Sequence, residues 1–397
     1  NIFGNNVTKE SVIRNQLELD EGDPFNEVLF ARSINNIKSL NFFKDVKTDV
    51  QNNNENETKI ITINVEEKPT REIMAGAGFG TSGTTTTFGV KENNYLGSGV
   101  SLDAKLNLSE ESIKGKMSLN NPNFNNSNKS IYTNIQSSET DRLTDFGYKT
   151  NKTGFTLGTE FEYFDDFFLG MGVNSYYESI KTDSTASSQQ KKLKGNYFDN
   201  FLSLNFDYDK RNQKFQTTQG FRNYFATDLP IVSETNTLSN TFIITSYIEY
   251  IDNHVLKSSF YFKNSNSISG DNIKLSERLY LPSNRLRGFE SGKIGPKDGN
   301  DFIGGNYISS LNFSSDVPKL LENSQTTDLK IFLDIANVWG VDYDASLEKS
   351  DDIKSAVGIG LDWFSPIGPM NFTLSQHLSK GSNDVTESFR FNLGTTF

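Results

Sequence analysis

Most of the chain after Arg71 alternates between apolar and polar residues with a period of two. Residues 100–108, 112–119 and 202–209 each keep this alternation without a break. Such a period places every second side chain on the same face of a β-strand. These runs are long for strands of water-soluble proteins and approach the ~9–11 residues with which a tilted strand crosses a bilayer.

Strand candidates of this kind continue to the last residue. We count sixteen, an even number, as bacterial outer-membrane barrels have. The sequence therefore predicts a transmembrane antiparallel β-barrel of about 16 strands over residues 71–397. The predicted strands are 72–80, 84–91, 99–108, 112–119, 131–138, 153–163, 167–180, 194–209, 219–228, 239–251, 255–266, 304–314, 327–339, 353–363, 368–378 and 387–397.

The first 70 residues have a different pattern. Helical spacing predicts a short helix around Ile13 and Leu17, with Thr8 as its cap, and a second helix that begins after Asn26. Two alternating strands follow this second helix. The order strand, helix, helix, strand, strand predicts a small α+β domain over residues 1–70.

Composition narrows the chemistry that this fold can carry. The chain has no cysteine, which excludes disulfides, zinc–thiolate sites and cysteine nucleophiles. Its net charge of −11 argues against nucleic-acid binding. Only 35% of the residues are apolar, which fits a barrel because every second residue faces away from lipid.

Nucleotide and metal chemistry also find little support. The spacing of Gly78, Gly80 and Gly83 matches a dinucleotide fingerprint, but a strand and not a helix follows it. The chain has two histidines, His254 in a predicted turn and His377 in a predicted strand, and a hydrolase or metal role for either would need partners placed by the fold. We therefore expect no nucleotide, no metal, no other cofactor and no catalytic residue.

Five segments resemble the motifs of one family, in the family's order. The longest predicted connection, 267–303, contains one of them, Leu286-Arg287-Gly288-Phe289. With a POTRA-like domain in front, the chain resembles the BamA family of outer-membrane protein assembly factors. This resemblance covers nearly the whole chain and implies the C-terminal portion with the last POTRA module, residues 1–70, which would lie in the periplasm. The other four segments are 209–222, 332–339, 363–369 and 387–397.

The resemblance implies a site inside the barrel. The connection 267–303 would fold back into the lumen, where Arg287-Gly288-Phe289 would meet Asp334 on the barrel wall. Alternation along the strand points Asp334 inward. A guanidinium fork binds a carboxylate through two parallel hydrogen bonds, so an ion pair is expected. Some relatives offer a second carboxylate where this chain has Asn312, so Arg287 is expected to rely on Asp334 alone.

The resemblance also implies a lateral gate between the first and last strands. Glycine weakens the packing of a strand by roughly 0.5–1 kcal/mol relative to alanine, so a glycine-rich first strand makes a weak junction. An open junction exposes a strand edge that can template another chain. The predicted gate residues are Ile73, Ala75, Gly76, Gly78 and Gly80 on the first strand, and Phe389, Phe391, Leu393, Gly394 and Phe397 on the last.

These features predict a non-enzymatic central subunit of the β-barrel assembly machinery, which folds and inserts barrel proteins into the outer membrane through the gate. The implied partners are unfolded outer-membrane proteins, periplasmic accessory lipoproteins and outer-membrane lipids, with no nucleic acid. The alternative is a translocation pore of the same superfamily, as in two-partner secretion or autotransporter export. A passive porin would not need the N-terminal domain, and the two histidines disfavour an outer-membrane hydrolase.

Overall fold

The computed structural model describes residues 1–53, 58–81, 83–214, 217–251, 254–317, 327–342, 347, 352–365 and 368–394. The chain divides into two compact units. The first comprises Asn1–Met74, Phe88–Lys105 and Lys116–Asn134, and the second comprises Ala75–Thr87, Leu106–Gly115 and Ile135–Phe397. No helix among the described residues is long and apolar enough to cross a bilayer.

The N-terminal domain has the predicted α+β order. Its elements are β1 (Ile2–Phe3), α1 (Glu10–Arg14), α2 (Glu27–Ser39), β2 (Phe43–Asn53) and β3 (Thr58–Glu67). In its sheet, β3 lies between β1 and β2, parallel to the former and antiparallel to the latter. Both helices pack on one face of this sheet around a core of Ile13, Ile34, Ile37, Val46 and Ile63.

The two helices begin differently from each other. Asn26 caps α2 as predicted, because its Oδ1 accepts hydrogen bonds from the backbone N–H groups of Val28 and Leu29. The predicted cap of the first helix is wrong. The helix begins at Glu10 after Lys9, whose side chain makes no capping bond, and it ends before Leu17.

Thr8 does not cap α1 because its polar groups are engaged elsewhere. Its Oγ1 accepts a hydrogen bond of 2.9 Å from Nδ2 of Asn94, and its backbone N–H donates to Oε1 of Glu67. The neighbouring Lys9 donates its backbone N–H to the carbonyl of Gly97 at 2.8 Å. The segment before α1 is therefore fixed by contacts that are distant in sequence, which local pattern reasoning does not detect.

The carboxylate of Glu67 binds the backbone of the segment before α1. It accepts hydrogen bonds from the backbone N–H groups of Asn6, Val7 and Thr8 at 3.0, 2.9 and 2.6 Å. Burial opposes the charged form of Glu67, but these hydrogen bonds outweigh it and hold its pKa below the usual range. Because the pKa of Glu67 is lower in the folded than in the unfolded state, ionised Glu67 stabilises the folded protein at pH values above its unfolded-state pKa. This stabilisation is lost as the pH falls through the folded-state pKa of Glu67.

The backbone amide chemical shifts of Asn6, Val7 and Thr8 should therefore titrate together, with a midpoint below the usual range of a glutamate. The reason is that protonation of Glu67 weakens their common acceptor. NMR of the protein in nanodiscs across acidic pH measures this step, and Glu67→Gln is the control in which it should vanish. A common midpoint at or above about 4.3, the unperturbed value, would contradict the prediction.

The rest of the chain forms a closed sixteen-stranded antiparallel barrel, which confirms the predicted fold class. Each strand neighbours the next, except that β14 pairs directly with β17 because β15 and β16 lie in the connection between them. The barrel strands are β4 (Arg71–Gly80), β5 (Gly83–Tyr95), β6 (Val100–Ser109), β7 (Ser112–Asn121), β8 (Lys129–Arg142), β9 (Tyr148–Phe164), β10 (Phe167–Thr182), β11 (Gly195–Asp209), β12 (Gly220–Ser233), β13 (Thr237–Ile251), β14 (His254–Ser267), β17 (Tyr307–Asp316), β18 (Thr327–Trp339), β19 (Lys354–Ser365), β20 (Gly368–Ser379) and β21 (Phe389–Gly394), with β15 (Lys297–Asp298) and β16 (Asp301–Phe302) in the connection.

The alternation along each strand places successive side chains on opposite faces of the barrel wall. Along β18 the buried positions are Phe332, Asp334, Ala336 and Val338, and the positions between them are more exposed. Large apolar side chains such as Met171 stand exposed on the outer face, as a lipid-facing wall requires.

Several predicted positions need correction. Four strands, β5, β8, β9 and β12, extend four or five residues beyond their predicted bounds. The strand expected to begin at residue 304 begins at Tyr307, because Gly304 has a φ of +66° and extended backbone cannot start there. His254, expected in a turn, is the first residue of β14.

Candidate functional site

The connection between β14 and β17 lies in the lumen against the inner wall. Its apolar side chains form one buried cluster with residues of β14, β17, β18 and β19. The connection contributes Leu279, Leu281, Leu286, Phe289 and Ile294, and the wall contributes Tyr261, Ile308, Ala336, Val338 and Ala356. This packing fixes the position of the Leu286-Arg287-Gly288-Phe289 motif inside the barrel.

Arg287 binds Asp334 through three hydrogen bonds. Its Nε and Nη2 donate to the two carboxylate oxygens, each at 2.8 Å, and its backbone N–H donates to Oδ2 at 3.0 Å. Asp334 is fully buried, whereas the Arg287 side chain keeps 22% of its exposure. A bidentate pair with a buried carboxylate is geometrically specific, because both planes must align.

Two further residues complete this site. The guanidinium of Arg287 lies over the ring of Phe332, with 3.5 Å between its central carbon and the ring centroid. Asn312 donates Nδ2 hydrogen bonds of 2.8 Å to Oδ1 of Asp334 and to the carbonyl of Arg285. Asp334 is thus the carboxylate that holds Arg287, as expected, and Asn312 supports that carboxylate without replacing it. The contacts of Phe332 and Asn312 were not predicted from the sequence.

Gly288 brings the motif close to the wall. Its φ is +90°, and an added Cβ would stand 3.0 Å from Cβ of Ala356 and 3.3 Å from Cβ of Ser375. The next side chain, Phe289, is 2% exposed within the buried cluster. A glycine here therefore serves both the backbone conformation and the close approach to β19 and β20.

Gly288→Ala should loosen the connection, measured as a faster proteolysis or amide exchange of residues 283–289. We expect a cost of about 1–3 kcal/mol from the strained backbone and the crowded Cβ. Gly299→Ala is the matched control, because Gly299 also has a positive φ of +64° but no atom near its Cβ position. Equal effects of the two substitutions would show that close packing at residue 288 contributes nothing.

The part of the connection before the motif is held by a buried lysine. Lys274 is 1% exposed and its Nζ contacts carboxylates of Glu178 on β10, Asp199 on β11 and Glu277. Burial alone would lower the pKa of Lys274, but the three carboxylates prevail and raise it, so the lysine stays charged. These ion pairs tie the connection to β10 and β11, whereas Arg287 ties it to Asp334 on β18.

The barrel closes between its first strand, β4, and its last strand, β21; we call this junction the seam. Among the described residues the seam ladder consists of three pairs, Gly78–Gly394, Phe79–Leu393 and Gly80–Asn392. One more backbone hydrogen bond joins Thr81 to Phe391. By contrast, the β10–β11 ladder runs continuously from Phe167 to Ile180.

Glycines let the two seam strands approach each other. A Cβ on Gly394, whose φ is +112°, would lie 2.3 Å from the carbonyl oxygen of Ala77. A Cβ on Gly80 would lie 2.5 Å from the carbonyl oxygen of Phe391. Side chains at either position would therefore force the strands apart.

The remaining predicted gate residues are placed as follows. Ile73, Ala75 and Gly76 lie on β4, and no residue of the described last strand pairs with them. On β21, Phe389 pairs with Leu374 of β20, and the rings of Phe389 and Phe391 stack. Phe397 lies outside the described residues.

The part of the chain that the structure describes contains no cluster of three or more histidine or acidic side chains arranged to hold a metal ion. The arrangement instead offers ion pairs, apolar packing and, among the described residues, a backbone ladder of three pairs between β4 and β21.

Comparisons with known proteins agree with this architecture. The family model described as "Omp85 superfamily domain" matches residues 94–397, and the POTRA model described as "Surface antigen variable number repeat" matches residues 1–68. The chain is similar over its whole length to "Outer membrane protein assembly factor BamA" of Neorickettsia risticii, with 25% identity, and of Nitratidesulfovibrio vulgaris, with 24% identity. It covers 54% and 50% of those proteins, so it spans about half the length of the curated relatives it matches.

Solved structures share the fold. The crystal structure of BamA from Haemophilus ducreyi lacking POTRA domains 1–3 superposes with a TM-score of 0.89 at 21% identity, over 100% of this chain and 83% of that one. CdiB from Escherichia coli superposes with a TM-score of 0.62 at 12% identity, over 99% of this chain and 75% of that one.

These findings confirm the predicted resemblance to the BamA family. They also confirm the predicted location, with the barrel in the outer membrane and the N-terminal domain in the periplasm. The family model matches more than half of the chain, and its match ends at the last residue. This chain, a sixteen-stranded barrel with a POTRA-like domain before it, belongs to the Omp85 superfamily.

Proposed function

We propose that this chain folds and inserts β-barrel proteins into the outer membrane, as the core of an assembly machine, and that it does so without enzymatic chemistry. An incoming strand would pair with an edge exposed when the seam opens. Its backbone groups would then never be left unpaired in lipid, where each would cost several kcal/mol.

The observation that carries this proposal is the glycine content of the seam. Two of the three described pairs between β4 and β21, Gly78–Gly394 and Gly80–Asn392, contain glycine. Glycine weakens the packing of a strand by roughly 0.5–1 kcal/mol relative to alanine, so these two strands separate at lower cost than strands joined by larger side chains do. A barrel meant only as a pore gains nothing from a weak junction.

The connection inside the lumen supports the same proposal. It packs against the inner wall and is tied to Asp334, so it narrows the axial route through the barrel. We propose that a folding chain instead takes the route through the wall to the membrane. We propose unfolded outer-membrane proteins as substrates, outer-membrane lipids as the receiving phase and periplasmic lipoproteins as accessory partners.

Reconstitution in liposomes tests the proposal. The full chain is placed in liposomes, an unfolded outer-membrane barrel protein is added, and its folding is followed by gel mobility and protease resistance. We expect folding to be faster than in liposomes without the chain. Flux of ions across the liposome membrane, or passage of an unfolded chain into the liposome interior, without faster folding, would favour the translocation pore and refute the assembly function.

A further inference from the structure

Arg390 lies on the last strand and points into the lumen, away from the exposed Phe389 beside it. It is 8% exposed, against 47% for Phe389. Its Nη1 donates to the carbonyl of Ser283 at 3.1 Å, and its Nη2 donates to the carbonyl of Phe289 at 2.8 Å. These two carbonyls belong to the first and last residues of the segment 283–289, which contains Arg287. We call this segment the loop tip.

A carboxylate holds the Arg390 guanidinium in place. Its Nε donates to Oε2 of Glu387 at 2.8 Å, and that carboxylate is largely buried as well. Backbone contacts run alongside, because the N–H of Glu387 donates to the carbonyl of Gly288 at 3.0 Å and Phe289 bridges to Thr386. The loop tip is thus attached to the chain that leads into β21.

The loop tip therefore has two attachments on different parts of the wall. One lies on β17 and β18, where Asn312 binds the carbonyl of Arg285 and Asp334 binds Arg287. The other is Arg390 on β21, the strand that forms the seam. When β21 moves away from β4, either Arg390 releases the loop tip or the tip is pulled from Asp334.

We propose that Arg390 is a positioning residue that couples the docking of the loop tip to the closure of the seam. The functional meaning of this coupling rests on the proposed function, whereas the coupling itself does not. Coupling is reciprocal: docking of the tip favours the closed seam by the same factor by which closure favours docking. Undocking of the tip and opening of the gate then occur together.

Disulfide formation across the seam measures closure without any substrate. Phe79 and Leu393 are direct partners in the ladder, and the chain has no native cysteine to interfere. In a Phe79→Cys, Leu393→Cys background in nanodiscs, Arg390→Gln should lower the rate of disulfide formation, which is proportional to the fraction of molecules whose seam is closed. Amide exchange within residues 283–289 is proportional to the undocked fraction of the loop tip and should rise about tenfold, the factor expected for losing charge-assisted hydrogen bonds.

A double-mutant cycle distinguishes coupling from simple destabilisation. Arg287→Ala alone should also slow disulfide formation, but adding it to Arg390→Gln should change the rate by less than about twofold, because the second contact is already lost. Arg390→Lys should lie between Gln and the parent, because an ammonium cannot span both carbonyls and Glu387. Arg222→Gln is the matched control, since it removes an arginine that pairs with Asp207 on the wall and should leave both rates unchanged.

Folding of each variant is checked by heat-modifiable gel mobility. Should Arg390→Gln not fold, Glu387→Gln removes only the supporting carboxylate and should shift both rates in the same direction by a smaller factor. Parental rates in Arg390→Gln, or effects of Arg287→Ala and Arg390→Gln that multiply, would overturn the inference. Coupling in nanodiscs without faster folding in liposomes would instead count against the proposed function alone.

Discussion

A disulfide between Phe79→Cys and Leu393→Cys is expected to reduce the acceleration of barrel folding to the level of liposomes without the chain. These residues face each other in the seam ladder, where opposed Cβ atoms lie about 4.5–5.5 Å apart, within reach of a disulfide after slight adjustment. A covalent bond there keeps the edge of β4 paired with its own barrel, so no incoming strand can use it. A reductant should restore the activity of the same sample.

The control for this experiment is a disulfide that leaves the seam free. Met171 and Leu204 are direct partners within the continuous β10–β11 ladder. Disulfide formation in the Met171→Cys, Leu204→Cys variant should leave the acceleration of barrel folding at the level of the parent chain. Full activity of a quantitatively oxidised seam variant would refute the lateral route.

The barrel was predictable because its signal is local. A period of two over eight or more residues depends only on the two faces of one strand, and every one of the sixteen predicted strands corresponds to a strand of the barrel. The last predicted strand is described only as far as Gly394. Where the prediction missed the start of β17, the cause was the left-handed backbone of Gly304, which alternation cannot report.

The contacts inside the lumen were less predictable because they join residues distant in sequence. Lys274 and Arg390 stand in segments whose patterns are ordinary, and only the folded connection brings them to Asp199 and to the carbonyl of Phe289. The pairing of Arg287 with Asp334 was anticipated from a resemblance, and the structure brings these two residues together. The role of Asn312 was not anticipated, since an amide in place of a carboxylate looked like a loss.

Asp334→Ala should undock the loop tip more severely than any other single substitution at this site. The carboxylate accepts four hydrogen bonds, three from Arg287 and one from Asn312. Removing it leaves a partly buried guanidinium without its counter-charge, which typically costs about 3–5 kcal/mol. Arg287→Ala should cost less, because Asp334 keeps its bond from Asn312 and the cation is removed from the lumen altogether.

Amide exchange and proteolysis of residues 283–289 measure this undocking, with Asp207→Ala as the control. Asp207 also binds an arginine through two hydrogen bonds, but its partner Arg222 is 41% exposed, so water can replace the lost carboxylate. Asp334→Asn keeps one acceptor oxygen and should fall between Asp334→Ala and the parent. If amide exchange within residues 283–289 were no faster in Asp334→Ala than in Asp207→Ala, the apolar cluster around Phe289 alone would hold the loop tip. The ion pair would then determine the position of the loop tip without stabilising it.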